Sequence, residues 1–371
     1  MTQHLTHIPP ELASLADYEQ FAEQYIDPAA WAYIQGGSGD ERALQNNCNA
    51  FAKYQCLPSL LRPCGEGTTE VRLIDTVLKH PIVLAPVAYQ KLVHDLAEIE
   101  TARAADATDS LMVSSTLASV PMEEVITHNK GTNWFQLYFQ PDRDITQDLV
   151  ARAEASGFSA LMVTLDAPVQ TFSRRLMRKG CGLPSDITAA NLANYAQPEP
   201  VEIGRYESRV FQGVMRKAPT LADLEWLIGY SKIPVVVKGV LNPDDAERLL
   251  GSGVAGFVVS NHGGRAFAAA PAAVDCLAAV RERVGDACVL FDSGVRSGYD
   301  VFKALALGAD AVMIGRPQVH ALAIAGALGV AHMLQLLRDE LEVAMAMAGC
   351  ATIDEIKRVP VWKGDDYVNR N

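Results

Sequence analysis

Eight short apolar runs, each too uniformly hydrophobic to have one wet face, recur between Pro81 and Gly315 with longer helical patterns between them. They are Pro81–Ala85, Leu111–Ser114, Trp134–Tyr138, Ala160–Thr164, Pro234–Lys238, Gly256–Ser260, Cys288–Asp292 and Ala311–Gly315. Strands that are apolar on both faces suit a parallel sheet covered by helices. Eight of them, each followed by a crossover, predict a closed (β/α)8 TIM barrel, an α/β fold. The 371 residues exceed the usual domain size, but such barrels reach this length as one unit once insertions are included. One domain over 1–371 is therefore expected, with an N-terminal helical segment 1–75, the barrel 76–355 and a C-terminal tail 356–371.

Helix boundaries are legible in places. Asn242 caps a helix over Pro243–Leu250, and a helix over Gly298–Leu307 ends before Gly308. From Asp17 to Gln35 apolar residues recur near helical spacing, and Gly36-Gly37-Ser38-Gly39 breaks the pattern. The stretch 184–219, rich in Pro, Asn, Gln, Ser and Gly, is longer than ordinary barrel connections and predicts a mobile loop or lid.

Composition narrows the function. A net charge of −12 argues against sequence-independent nucleic-acid binding, which needs a basic surface to displace counterions. The N-terminus lacks the basic start and apolar run of a secretory signal, and no uninterrupted apolar segment suffices to span a bilayer, so a cytoplasmic protein is expected. The seven cysteines show no metal-ligand spacing and read as reduced packing residues; no metal site is predicted.

Catalytic groups of a TIM barrel gather at the C-terminal ends of its strands. Here those ends carry Pro86-Val87-Ala88, Ser115, Gln136 with Tyr138, Thr164 with Asp166, Lys238, Ser260 with His262 and Arg265, Asp292 with Arg296, and Gly315-Arg316. The sixth end, Ser260-Asn261-His262-Gly263-Gly264-Arg265, places a potential base three residues from a fixed cation able to grip a carboxylate. Glycines and arginines after the seventh and eighth strands are suited to a phosphate. Lys238, at the end of an apolar strand, needs an anionic partner; a Schiff-base role and a cation beside an electron-accepting ring are both open, and the phosphate signals favour the second.

With these residues assembled, the chain resembles the FMN-dependent α-hydroxy-acid oxidising enzymes, the family of glycolate oxidase, lactate oxidase and the flavin domain of yeast L-lactate dehydrogenase. The resemblance covers roughly Asp17 to Glu355. Its most specific pieces are Ser260–Arg265, Phe302–Asp310 and Ile314-Gly315-Arg316-Pro317. It implies FMN held by Pro86, Val87, Ala88, Ser115, Gln136, Thr164, Lys238, Ser260, Asp292, Gly294, Arg296, Gly315 and Arg316. It also implies His262 as base, oriented by Asp166, with Arg265, Tyr33 and Tyr138 on the substrate. The implied reaction oxidises an L-2-hydroxy acid to the 2-oxo acid. Oxygen is the default acceptor, and a quinone or protein carrier is the alternative. The family tends to form homotetramers.

Two departures stand out. Ala266-Phe267-Ala268 replaces the family's Gln-Leu-Asp after Arg265, and Ser173 occupies the position of a second substrate arginine, with Arg174 just beyond as its candidate substitute. Two other readings stay open here: a flavoenzyme like the type 2 isopentenyl diphosphate isomerases, and a flavin-binding protein without turnover.

Overall fold

The computed structural model of the chain describes residues 4–169, 171–179, 184, 186–196 and 202–364. Eight parallel strands close into a barrel: β1 (Ile82–Leu84), β2 (Met112–Ser115), β3 (Asn133–Leu137), β4 (Leu161–Thr164), β5 (Val235–Val240), β6 (Gly256–Val259), β7 (Cys288–Phe291) and β8 (Ala311–Ile314). The order around the barrel is the order in sequence, with β8 pairing β1 through Val312–Ile82 and Ile314–Leu84. Each predicted strand is present. Nearly every strand residue is buried on both faces, which is why the sequence shows continuous apolar runs instead of alternation.

Parallel register brings the strand ends to one mouth. Ser115 lies beside Gln136, and Thr164 beside Lys238. β5 and β6 slip register between Lys238 and Val240, a bulge centred on Gly239, whose φ of +106° is open to glycine and strained for other residues.

The N-terminal segment forms three helices, Leu15–Ala22, Pro28–Gln35 and Arg42–Ala50. The single helical pattern expected over Asp17–Gln35 is thus two helices. The break has a local cause: Pro28 lacks an N–H and begins the second helix, while the Asp27 side chain accepts from the N–H of Ala29 at 2.8 Å. The expected caps hold at Asn242, whose side chain accepts from Asp244 N at 2.9 Å, and the helix after β7 spans Gly298–Ala306. Within the expected C-terminal tail, Val361–Lys363 pairs antiparallel with Tyr54–Cys56. Residues 365–371 lie outside the described residues.

The final helix, Arg316–Ala348, is long and apolar enough by composition to cross a bilayer. Two-thirds of its apolar window is buried inside the protein, and Ala325 and Gly326 leave helical geometry partway along. The six described cysteines are free thiols; Cys181 lies outside the described residues.

Part of the segment 184–219, expected as a mobile loop or lid, is tied to the barrel by hydrogen bonds. Ser185 and 197–201 lie outside the described residues. Ahead of 197, the buried Asn191 side chain donates to Ser115 O at 3.1 Å and accepts from Met122 N at 2.8 Å. Arg152 donates to Asn191 O at 3.0 Å and to the Tyr195 hydroxyl at 2.9 Å. The physical reason is that the buried amide pairs the otherwise orphaned Met122 N–H at a helix start and adds a second bond to Ser115 O, which also accepts from Ala118 N. Asn191→Ala is expected to cost about 1–3 kcal/mol, the penalty for orphaned buried polar groups. Denaturant unfolding measures it, and amide exchange over 186–196 should accelerate in the same variant.

Candidate active site

The strand ends surround a cavity of about 1190 Å³, its open mouth included. At the sixth end, Ser260 is fully buried, and its hydroxyl accepts from His262 N at 3.0 Å and from Lys238 Nζ at 3.0 Å. His262 follows with φ +61°, a left-handed conformation rare outside glycine and typical of strained functional positions. Its Nδ1 lies 2.9 Å from Asp166 Oδ1. A carboxylate there makes Nδ1 the donor, which leaves Nε2 as the basic nitrogen of a residue that lines the cavity. Burial alone would raise the pKa of Asp166, but its interaction and hydrogen bond with His262, and then the charge of Lys238, outweigh it and hold the carboxyl below its ordinary value.

Gly263 and Gly264 both have positive φ, and a side chain at Gly264 would overlap the backbone of Leu44 in helix Arg42–Ala50. The same helix presses on Gly294, where a methyl would overlap Asn47. Asn47 and Asn261 exchange amide hydrogen bonds of 2.7 and 2.8 Å across this contact. Gly264 and Gly294 are therefore needed for the helix to back the turn at His262.

Arg265 and Arg316 cap the C-terminal end of helix Pro28–Gln35. Arg265 Nη1 donates to Tyr33 O at 2.7 Å and Gly36 O at 2.9 Å; Arg316 donates to Ile34 O, Gly36 O and Gly263 O, each at 2.9 Å. Cations suit orphan carbonyls at a helix C-terminus. The docking carries Tyr33 into the cavity, its ring 4.9 Å from the Arg265 guanidinium carbon. Nε and Nη2 of Arg265 have no protein partner among the described residues, so the guanidinium retains two nitrogens, with three N–H groups between them, for an anion.

Lys238 is 4% exposed, with Nζ 3.0 Å from Asp292 Oδ2. Burial would lower its pKa, but Asp292 and Asp166 outweigh that and raise it, so the site keeps a permanent cation. Gln136 links three strand ends: its Oε1 accepts from Ser115 Oγ at 3.1 Å, and its Nε2 donates to Thr164 Oγ1 at 3.1 Å. Burial, then the nearby charges of Arg265 and Arg296, push Arg316 down to about 9; it stays cationic at neutral pH and gains from any anion placed there.

The structure brings together Tyr33, Pro86, Val87, Ala88, Ser115, Gln136, Tyr138, Thr164, Lys238, His262, Arg265, Asp292, Gly294, Arg296, Gly315 and Arg316 around this cavity, with Asp166 and Ser260 immediately behind His262 and Lys238. Arg174 is not brought in. Ser173 caps the short helix Arg174–Arg178 that carries it, and Arg174 is exposed, away from the cavity lining. Arg175 is spoken for: it grips Glu41 through contacts of 2.9 and 2.6 Å. Of the altered triplet, Ala266 is buried and Phe267 exposed, and neither lines the cavity. Sequence reasoning missed Tyr89, Leu117 and Ser293, which do line it. Tyr89 directly follows Pro86-Val87-Ala88, so extending that strand end by one residue would have found it.

Comparison with known proteins agrees with this geometry. Residues 22–363 match the family described as FMN-dependent dehydrogenase. The chain is 51% identical over 350 residues to an L-lactate oxidase of Alicycliphilus denitrificans, covering 94% of this chain and 96% of that one. It is 35% identical to glycolate oxidase 3 of Oryza sativa subsp. indica, covering 97% and 99%. A mandelate oxidase crystal structure with (S)-2-phenylpropionate superposes with TM-score 0.87 at 37% identity, covering 95% and 99%. The chain belongs to the FMN-dependent dehydrogenase family and is an FMN-dependent oxidoreductase.

The residues present fit that cofactor. Arg296 and Arg316, beside Gly294 and Gly315, form a cationic corner suited to a phosphate; the Ser115, Gln136 and Thr164 chain offers polar groups to a heteroaromatic edge; Lys238 is a cation suited to an electron-rich ring. Asp166 depends on Gly239, because a methyl at 239 would overlap its Cβ. Gly239→Ala should therefore displace the carboxylate from His262 and lower turnover about 100-fold, the effect of a misplacement near 1 Å. Steady-state kinetics alongside an unchanged flavin absorbance spectrum would check it.

Proposed function

We propose that this enzyme oxidises an L-2-hydroxy acid, lactate foremost, to the 2-oxo acid with oxygen as acceptor, giving hydrogen peroxide. The observation that carries this reading is one cavity presenting both the Asp166-held imidazole of His262 and the two free nitrogens of Arg265. That pairing is the requirement of a substrate bearing a carboxylate next to a carbon that must lose a proton and two electrons. The relatives named as lactate and glycolate oxidases support both the substrate class and oxygen.

Arg265 grips the substrate carboxylate through Nε and Nη2, while its third nitrogen stays anchored to the helix end. Tyr33 and Tyr138 supply phenol donors to the substrate oxygens. His262 Nε2 receives one of the two protons that the oxidation removes from the substrate, and Asp166 stabilises the imidazolium that results. Bound FMN would supply the acceptor for the two electrons and the other proton. Lys238 keeps a fixed positive charge at the cavity wall, prepared before the reaction begins. The proposal extends to a homotetramer in the cytoplasm. Exposed Leu328, Val343 and Met347 on the final helix offer apolar surface for subunit contacts, and light scattering counts the chains.

Anaerobic addition of L-lactate, glycolate or mandelate to the holoenzyme should bleach the flavin stoichiometrically, and admitted air should restore the colour and yield peroxide. No bleaching by any 2-hydroxy acid would reject the reading. His262→Ala is expected to slow bleaching by roughly 100- to 10,000-fold, the range of general acid–base catalysis, while the cofactor stays bound. Stopped-flow absorbance measures that rate.

A further inference from the structure

We infer that Tyr89 is a substrate-binding residue, a third phenol that holds the substrate carboxylate together with Arg265 and Tyr33 and takes the place of the missing second cation. The inference deepens the 2-hydroxy-acid reading and rests on it.

Four observations carry it. The first is the local backbone. Tyr89 has φ +56° and ψ +46°, a left-handed conformation unfavourable for a residue with a Cβ. The turn is held there from both sides: Tyr89 N donates to Leu117 O at 3.0 Å, and the next amide, Gln90 N, donates to the buried carboxylate of Glu98 at 3.1 Å. Glu98 also accepts from Ser119 N at 2.9 Å, so one carboxylate braces the turns after β1 and β2 together.

The second is where this rigid turn sends the side chain. Tyr89 lines the same cavity as His262 and Arg265, with its ring centroid 6.4 Å from that of Tyr33 and tilted 60° to it. Tyr33 in turn lies against the Arg265 guanidinium. Third, the Tyr89 ring is half-buried, yet its hydroxyl has no hydrogen-bond partner among the described residues. A phenol in that setting normally finds a partner.

The fourth is the supply of charge. Ser173 brings no cation to the mouth, Arg174 is exposed away from the cavity, and Arg175 is committed to Glu41. Arg316 gives three of its N–H groups to carbonyls and belongs with Arg296 to the corner suited to the phosphate. A carboxylate entering beside Arg265 therefore has acceptor capacity that the three free N–H groups on Nε and Nη2 do not fill, and neutral O–H donors next to it supply the remainder.

The test uses FMN-loaded Tyr89→Phe, which keeps the ring, its contact with Tyr33 and the demands on the backbone while removing the hydroxyl. Two quantities are read: the concentration of L-lactate that half-saturates anaerobic flavin reduction, and the Kd of oxalate, an unreactive carboxylate, from its perturbation of the oxidised flavin spectrum. Both should weaken by roughly tenfold to a hundredfold, the range for a lost hydrogen bond to a charged group. The limiting reduction rate should stay within about threefold, the pattern of lost uniform binding. Unchanged lactate and oxalate affinities in a variant whose wild type is readily reduced overturn the role of Tyr89 and leave the hydroxy-acid reading standing. A lower limiting rate with unchanged oxalate binding also overturns it, since that pattern marks a distorted site. A wild-type enzyme that no 2-hydroxy acid reduces defeats the reading and the role together.

Discussion

One buried ammonium ties four neighbouring strand ends into a site. Lys238 on β5 pairs with Asp292 after β7, donates to Ser260 after β6, and its charge helps keep Asp166 after β4 ionised. Removing a cation from water is costly, and a buried pair is tolerated only when its geometry and remaining hydrogen bonds are good. Here those conditions also serve the chemistry. The carboxylate that Lys238 helps keep charged is the one that orients His262, and Ser260 fixes the backbone from which His262 projects. Electrostatics that hold the barrel end together and electrostatics that prepare a base are the same set of contacts.

A second constraint comes from outside the barrel. Helices Pro28–Gln35 and Arg42–Ala50 lie against the mouth, one docked by the Arg265 and Arg316 guanidinium groups, the other admitted by Gly264 and Gly294. The first arrangement has a consequence for recognition. Arg265 divides its nitrogens between a helix terminus and the cavity, so the helix that it anchors positions the guanidinium at the cavity wall and delivers Tyr33 beside it. The N-terminal segment is part of the candidate site, although it contributes no barrel strand.

Much of this was legible in the chain. The eight apolar runs specify a parallel barrel because strands buried on both faces need no alternation, and the barrel rule then assigns every strand end to one mouth. The resemblance carried by Ser260–Arg265 and Ile314–Pro317 located the base, the anion grip and the cofactor corner, and the structure gathers all of them except Arg174. That failure has a plain origin. Counting residues from Asp166 says how far along the chain a side chain lies, whereas the cap at Ser173 starts a helix that sets its direction. The predicted loop over 184–219 shows the same limit: a composition of Pro, Asn and Ser does not reveal that one of those asparagines, Asn191, is buried under β2.

The sequence by itself determined what is periodic or local: strand number, strand-end chemistry, the glycines after His262, the cap at Asn242. Only tertiary structure decided which cations face the cavity, that helix Arg42–Ala50 needs Gly264 and Gly294, and that the left-handed turn at Tyr89 aims a third phenol into the site. The reason is physical. Local propensity is written in neighbouring residues, whereas the direction of a side chain and the approach of two backbones depend on partners such as Asn47 and Asn261, 214 positions apart in the chain.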